Sequence, residues 1–426
     1  TVRPMRVPIG FEILRQTLTL RYYRLYVLGN ITSNLATWTQ RIAMGWLTWE
    51  LTHSAAWLGV NAICEAGPSI VIGMFAGAII DRVDQFKMLR IAQLWSLIYS
   101  AAFAVLTLTH IIDIWQLTTL VLLRGVVIAF YRPTRSTVIY GLVGREFLPS
   151  ALALNSMIFN TSRFLGPAIG GTIIAWAGTG WSFVFAFVLY CVMTVALREI
   201  GRAGLTLPPV TDTQRRSIWH ETLGGIRYIL GHEGIRLQLL LLIVTSLAAK
   251  PLPDLMPGFA GQVFDRGSSG LATLLSCEGI GALVGAIWMT SRASLTGLTR
   301  ITLANILLMS VTILLFSQTR AFYIAAPINA FIGFAFIVQS ISNQTLIQSA
   351  IEPGVRGRVM SIYGIIAQSL PSLGTLTMGA IAAHTGLRAP VAVGAIIVGL
   401  LWAWAWRLRV PLAAALETEP RAMAAD

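Results

Sequence analysis

Ionisable side chains stand inside runs of apolar sequence: the acids Glu65, Asp254 and Glu278, and the bases Arg41, Arg124, Arg163 and Lys250. Charge in hydrocarbon is expensive. Such residues pair with one another, or they mark ion paths, proton relays and counter-charges for a ligand. A carboxyl whose surroundings alternate can take a proton on one side of a barrier and lose it on the other. A neighbouring guanidinium or ammonium can hold an anion while the carboxyl is neutral. Glu65, Asp254 and Glu278 are therefore the proton-coupling candidates. Arg41, Arg124, Arg163 and Lys250 are candidates for contact with a substrate, and four bases against three acids lean towards an anionic one. Nothing points to catalysis, to a metal or to a cofactor. Cys64, Cys191 and Cys277 lie in apolar runs without CxxC spacing, which reads as buried thiols.

Several of these charges have two readings. Arg163 lies about 21 Å into its run at 1.5 Å per residue, too deep to snorkel. A pair with Glu278, itself ten residues into another run, satisfies both; a proton-coupling role is the other reading. Arg41 stands late in its run and snorkels to the outer surface. The segment Lys250-Pro251-Leu252-Pro253-Asp254-Leu255-Met256-Pro257 carries prolines that break backbone bonds, and broken backbone within a membrane lines a cavity. The i, i+4 spacing of Lys250 and Asp254 fits an intrahelical ion pair or a hinge with a switchable charge pair.

The elements that position these residues follow from composition. Of 426 residues 55% are hydrophobic and 12% charged, with a mean hydropathy of +0.71. Soluble domains average about 25% charged, so a soluble enzyme, a disordered chain and a fibrous protein are excluded. Apolar runs of about 20 residues span a bilayer as helices. Twelve are predicted: 21–50, 55–80, 88–109, 114–140, 149–177 and 181–200, then 236–262, 268–290, 300–318, 321–349, 358–383 and 388–408. The fold expected is an all-α membrane protein with two six-helix bundles, 1–200 and 236–410. A linker at 201–235 and a tail at 411–426 complete the organisation. Within the linker, Ile218, Trp219, Leu223, Ile226, Ile229 and Leu230 share one face of an amphipathic helix.

The net charge of +13 reflects topology rather than nucleic-acid binding. Arg82, Lys87, Arg90, Arg202, Arg215, Arg216, Arg356 and Arg358 fall on one side of the spans, and Arg266, Arg320 and Arg388 on the other. Basic loops stay inside, so both termini are expected in the cytoplasm and no cleaved signal peptide is expected. No GxxxxGK[ST] loop is present to suggest ATP as the energy source.

The halves repeat. An offset of 208 places Gly73 and Gly77 on Gly281 and Gly285, and Gly166, Gly171 and Gly178 on Gly374, Gly379 and Gly386. Spans 2 and 5 thus correspond to 8 and 11, and the halves run in the same direction. Small residues allow close helix approach, which suggests that these four spans form the seam between the halves.

The end of span 2, Gly77-Ala78-Ile79-Ile80-Asp81-Arg82-Val83-Asp84-Gln85-Phe86-Lys87, resembles the cytoplasmic loop signature of the major facilitator superfamily. Gly77, Asp81, Arg82 and Lys87 match; Asp84 and Gln85 stand where that pattern has Gly and Arg. Gly166-Pro167-Ala168-Ile169-Gly170-Gly171 resembles the antiporter signature of its exporters. Phe130-Tyr131-Arg132-Pro133-Thr134-Arg135, the stretch Asn155 through Gly171, and Arg356-Gly357-Arg358 resemble the bacterial branch of enterobactin exporters and macrolide efflux pumps. The resemblance implies the major facilitator fold, with spans 1, 4, 7 and 10 around a central cavity. Arg41, Arg124, Lys250 and Asp254 would then stand on cavity helices, with Trp38, Trp46, Tyr131 and Phe259 as aromatic candidates. It implies a proton-driven antiporter that exports an amphipathic small molecule, such as a siderophore or a drug, across the bacterial inner membrane. A lipid or lysophospholipid carrier of the same fold is the alternative. It implies a lipid-embedded monomer, with the proton gradient in place of a cofactor.

The resemblance also implies a gate in which Asp81 meets the N-terminus of span 11 near Arg358, where the helix dipole favours an anion. Asp81→Asn is expected to weaken the closed inner gate by about 1 kcal/mol, and by about 2 if the site is dry. A spin-label pair across that gate reads the effect, and an unchanged inward/outward ratio would reject the latch.

Overall fold

The computed structural model describes residues 19–80, 84–202, 218–292, 294–352 and 354–417. Among these all regular structure is helical, as lipid demands of a chain whose backbone groups find no water. The N-terminal elements are α1 (Arg21–Thr52), α2 (Ala55–Ile80), α3 (Gln85–Leu108), α4 (Ile114–Ala177) and α5 (Thr179–Arg202). α4 is two antiparallel-type spans run together: Gly144, at φ +72°, breaks it into arms 114–143 and 145–177. After α6 (Ile218–Gly231) come α7 (Glu233–Ala248), α8 (Leu252–Gly258) with a π turn Phe259–Val263, α9 (Gly267–Thr290), α10 (Leu298–Gln318), α11 (Phe322–Ala350), α12 (Arg356–Thr385), α13 (Arg388–Arg407) and α14 (Arg409–Leu416). Counting the arms of α4 separately and α7 with α8 as one broken span gives the twelve expected. Ten of the described helical stretches are long and apolar enough to cross a membrane. α1 and the 145–177 arm fall short of that measure because polar residues interrupt them.

Local chemistry sets the ends. Asp84 caps α3 by accepting from the backbone N–H of Phe86 at 2.9 Å and Lys87 at 3.2 Å. Asp113 and Gln116 form a reciprocal capping box at α4. At α10 the carboxylate of Glu417 accepts from the N–H groups of Gly297 and Thr299, both at 2.7 Å, satisfying donors that a helix start leaves open.

Packing divides the chain into two compact units, residues 1–43 with 71–212 and residues 44–70 with 213–426. In the first, α3 and α5 share an aromatic seam in which Phe103 stacks on Phe183 with centroids 4.9 Å apart. In the second, α9 and α11 meet backbone to backbone. A Cβ on Gly333 would stand 1.8 Å from the carbonyl oxygen of Glu278. Phe259, Phe264 and Phe316 cluster beside them. Phe259 is fully buried, so it is packing and not the cavity aromatic expected of it.

The repeat is structural as well as sequential. α4 starts at Ile114 and α11 at Phe322; the 145–177 arm ends at Ala177 and α12 at Thr385. Both pairs are 208 apart. Each arm then closes on a glycine with positive φ, Gly178 at 92° and Gly386 at 77°, where a side chain would be strained. Contacts repeat too: Gly166 lies against Trp38 and Thr39 of α1, and Gly374 against Leu247 of α7, the position equivalent to Thr39. Of the glycines expected to form a seam between the sequence halves, Gly379 packs on Ala55 and Ala56 of α2, a helix of the other half, whereas Gly166 and Gly374 pack within their own half. Gly281 and Gly285 likewise face Ala330, Phe334 and Ile337 of α11.

Gly333→Leu is expected to force α9 and α11 apart and destabilise the protein by at least about 3 kcal/mol, the upper end for overpacking. Gly364→Leu, at a position with no neighbour within 4 Å, is expected to leave stability nearly unchanged. Thermal denaturation in detergent compares the two.

Candidate substrate site

Thr39 of α1 donates from Oγ1 to the carbonyl of Gly166 at 3.2 Å. The approach is so close that a Cβ on Gly166 would meet the Trp38 Cβ at 2.4 Å, and one on Gly170 would meet Thr39 at 3.1 Å. The segment Gly166-Pro167-Ala168-Ile169-Gly170-Gly171 thus locks α1 onto the 145–177 arm. The lock places the half-buried indole of Trp38 among three side chains. The Arg41 guanidinium lies 5.5 Å from its ring centroid and that of Arg163 5.6 Å. Phe159 meets it edge-on at 5.7 Å. Cations over an indole face are held by its quadrupole. The indole Nε1 is buried without a hydrogen-bond partner, while Arg163 and Phe159 are exposed. The face therefore gathers two cations and two aromatic rings. Arg41 rests against Trp38 here, in addition to whatever it reaches towards the outer surface.

The other candidates sit apart from this face. Arg124 is 1% exposed, sealed between helices with Nη2 donating to the Thr37 carbonyl at 3.4 Å. Asp254 is half-buried in α8 and accepts from the Thr375 hydroxyl of α12 at 3.3 Å. α7 stops at Ala248 and α8 begins at Leu252, so Lys250 and Asp254 do not share a helix. The prolines break the span, and Lys250 stands in the break with its N–H on the Thr245 carbonyl at 3.1 Å. Glu65 and Glu278 are half-buried on α2 and α9.

Of the gating residues, Asp81 and Arg82 lie outside the described residues, and Gly77 is described only as helical backbone. Lys87 is exposed. Arg358 is half-buried in the first turn of α12 and packs over Gly224 and Gly225 of α6.

Sequence reasoning missed a second polar centre in the same unit. The guanidinium of Arg135 donates to Asn155 Oδ1 and, at 3.4 Å, to Asn34 Oδ1. Asn30 Nδ2 donates to Asn155 Oδ1 at 3.0 Å. It also missed a ladder in the other unit, where Gln238 Nε2 and Gln339 Nε2 both donate to Asn343 Oδ1, the latter at 3.2 Å. The available signal was carboxamides inside apolar spans, of which Asn30 and Gln238 recur at the offset of 208.

Comparison with known proteins agrees with this architecture. Residues 16–426 match the family model described as transmembrane secretion effector. The staphyloferrin A transporter of Staphylococcus aureus is 23% identical, over 81% of this chain and 85% of its own. The multidrug efflux pump Tap of Mycolicibacterium fortuitum is 25% identical, over 86% and 91%. Macrolide efflux and enterobactin export proteins are also relatives. A bacterial homologue of ferroportin, solved in an inward-facing state, superposes with a TM-score of 0.70 at 14% identity, covering 92% of this chain and 99% of that one. The chain belongs to the transmembrane secretion effector family of the major facilitator superfamily: it is a multi-pass membrane transporter and not an enzyme.

Trp38→Leu is expected to remove two cation–π contacts and cost about 1–3 kcal/mol of stability. Trp38→Phe is expected to recover part of the loss. Unfolding of the purified variants in detergent measures both.

Proposed function

We propose that the protein is a proton-coupled exporter of an amphipathic organic anion, working by alternating access. The observation that carries this reading is the Trp38 face. Arg41 and Arg163 supply positive charge, and Trp38 with Phe159 supplies a surface on which a planar ring can stack. A siderophore with acidic rings, or an acidic drug, has that combination of groups. Relatives named as a staphyloferrin A transporter and a multidrug efflux pump support export of such molecules.

Asp254 is the favoured proton carrier. It sits beside the break between α7 and α8 and already accepts a hydroxyl hydrogen bond from Thr375. A carboxylate there can lose or gain a proton while the broken backbone changes shape, since a proline-interrupted span has few bonds to sacrifice. Protonation removes its attraction for Lys250, and the ammonium becomes available to the cargo. Proton and cargo then compete, as antiport requires.

The test uses inverted membrane vesicles, an imposed pH gradient and uptake of a catecholate siderophore. Wild-type uptake is expected to follow the gradient. Asp254→Asn is expected to keep cargo binding and lose its pH dependence. Equal gradient-driven uptake by Glu65→Gln, Asp254→Asn and Glu278→Gln would remove all three as sole proton carriers.

A further inference from the structure

Arg266, Arg320 and Arg388 stand on the side of the spans that is poor in basic residues. Topology asks for no cation on that side, so each needs another reason to be there. Arg266 has one in packing. Its guanidinium lies 5.7 Å from the ring centroid of Phe322 and 5.5 Å from that of Tyr323. Arg320 and Arg388 instead line one cavity of about 380 Å³.

The cavity is built where three connections meet. Gln262 and Val263 come from the π turn that ends the proline-broken span, Arg320 from the loop 319–321 between α10 and α11, and Thr385, Leu387 and Arg388 from the corner between α12 and α13. All are described residues of the second unit. Gly386 turns that corner at φ +77°. A Cβ on it would meet nothing within 4 Å, so the corner stands open. Arg388 is half-buried and fixed in place, with Nη2 donating to the Thr319 carbonyl at 3.1 Å. A guanidinium has five N–H donors, so one such bond leaves most of the fork available. Arg320 is exposed, and no described residue sets a carboxylate, a hydrogen-bond acceptor or a ring against it. No acid lines the cavity among the described residues, and Asp265, three residues from Gln262, is not part of its wall. The carbonyl end of α12 and the N–H end of α13 meet here with opposite partial charges, so the guanidiniums set the sign of the site.

The internal repeat supplies a comparison. In the first unit Gly178 turns the equivalent corner, also with positive φ. The loop 109–113 there carries no arginine, and at the offset of 208 Gly180 stands in place of Arg388. Leu108 fills the space, since a Cβ on Gly180 would meet its side chain at 2.7 Å. The same corner is therefore closed and apolar in one unit, and open and cationic in the other. The fold does not need the two arginines or the cavity.

We propose that this cavity binds a small organic dicarboxylate at the outer face, with Arg320 and Arg388 each taking one carboxylate. A guanidinium fork matches a carboxylate in plane and charge, and the Gln262 amide adds a neutral donor. The volume is that of a small-molecule pocket, more than a single inorganic ion fills. The site deepens the reading of the protein as an exporter of organic anions and rests on it. It gives the cargo a station on the side where it leaves.

The experiment measures binding to the purified full chain in detergent, without a gradient, so it stands apart from the vesicle assay. Equilibrium dialysis uses radiolabelled phthalate as probe and benzoate, which has one carboxylate, as comparison. Phthalate is expected to bind at least about tenfold tighter than benzoate, because it engages both guanidiniums. Arg320→Gln is expected to lower phthalate affinity at least about tenfold and to erase the preference over benzoate. The Arg320 side chain braces no described residue, so this variant is expected to fold, and thermal denaturation checks that it does. Arg266→Gln removes a charge from the same side but outside the cavity, and is expected to leave affinity within about twofold of wild type. Absence of phthalate binding, wild-type affinity in Arg320→Gln, or an equal loss in Arg266→Gln would each overturn the site. In nanodiscs, equal phthalate affinity is expected in neutral lipid and in phosphatidylglycerol; its loss in phosphatidylglycerol would overturn the assignment in favour of a lipid phosphate. If Arg320→Gln loses phthalate while wild type shows no gradient-driven uptake, the site stands and the exporter reading fails. If uptake follows the gradient while Arg320→Gln binds as wild type does, the site fails and the exporter reading stands.

Discussion

The constraint behind the rest of this structure is that hydrocarbon solvates neither backbone nor charge. It forces the described chain into helices. It also makes every polar residue within a span a structural commitment, since such a residue must find a partner inside the protein or a ligand. α1 shows the consequence. Asn30, Ser33, Asn34, Thr37, Trp38, Thr39 and Arg41 give it too little hydropathy to count as an ordinary span. Each of these groups is directed at another helix or at the Trp38 face. The 145–177 arm, with Asn155 and Arg163, is its counterpart. The two least membrane-like helices of the first unit contribute to both of its polar centres, and the 114–143 arm adds Arg135 to the second.

Glycine does the positioning. Lipid offers no hydrophobic drive between helices, so close contact must come from packing. Gly166 brings the 145–177 arm so near to α1 that the Trp38 ring and the Arg163 guanidinium share one face. The equivalent Gly374 brings α12 onto α7, next to Thr375, whose hydroxyl reaches Asp254. One packing device, used at equivalent positions, thus sets a cation in one unit and an acid in the other.

Much of this was legible in the sequence, for physical reasons. Hydropathy fixes span positions because it is averaged over 20 residues. The proline cluster fixes the break after Ala248 because proline cannot donate. The glycine repeat is readable because close approach excludes every larger side chain. What escaped was lateral: which face of a helix a residue takes and what stands across from it. Arg124 carries the same letter as Arg163, yet one is sealed and the other exposed. Arg135 falls inside the predicted span 114–140, yet nothing in its letter says that Asn34 and Asn155 stand across from it. A repeat does not say which neighbour each copy meets: Gly379 lies on Ala55 and Ala56 of α2, Gly281 and Gly285 on α11. Asp84, a departure from the loop signature, is a helix cap, and caps depend on three residues of local geometry that the signature does not encode.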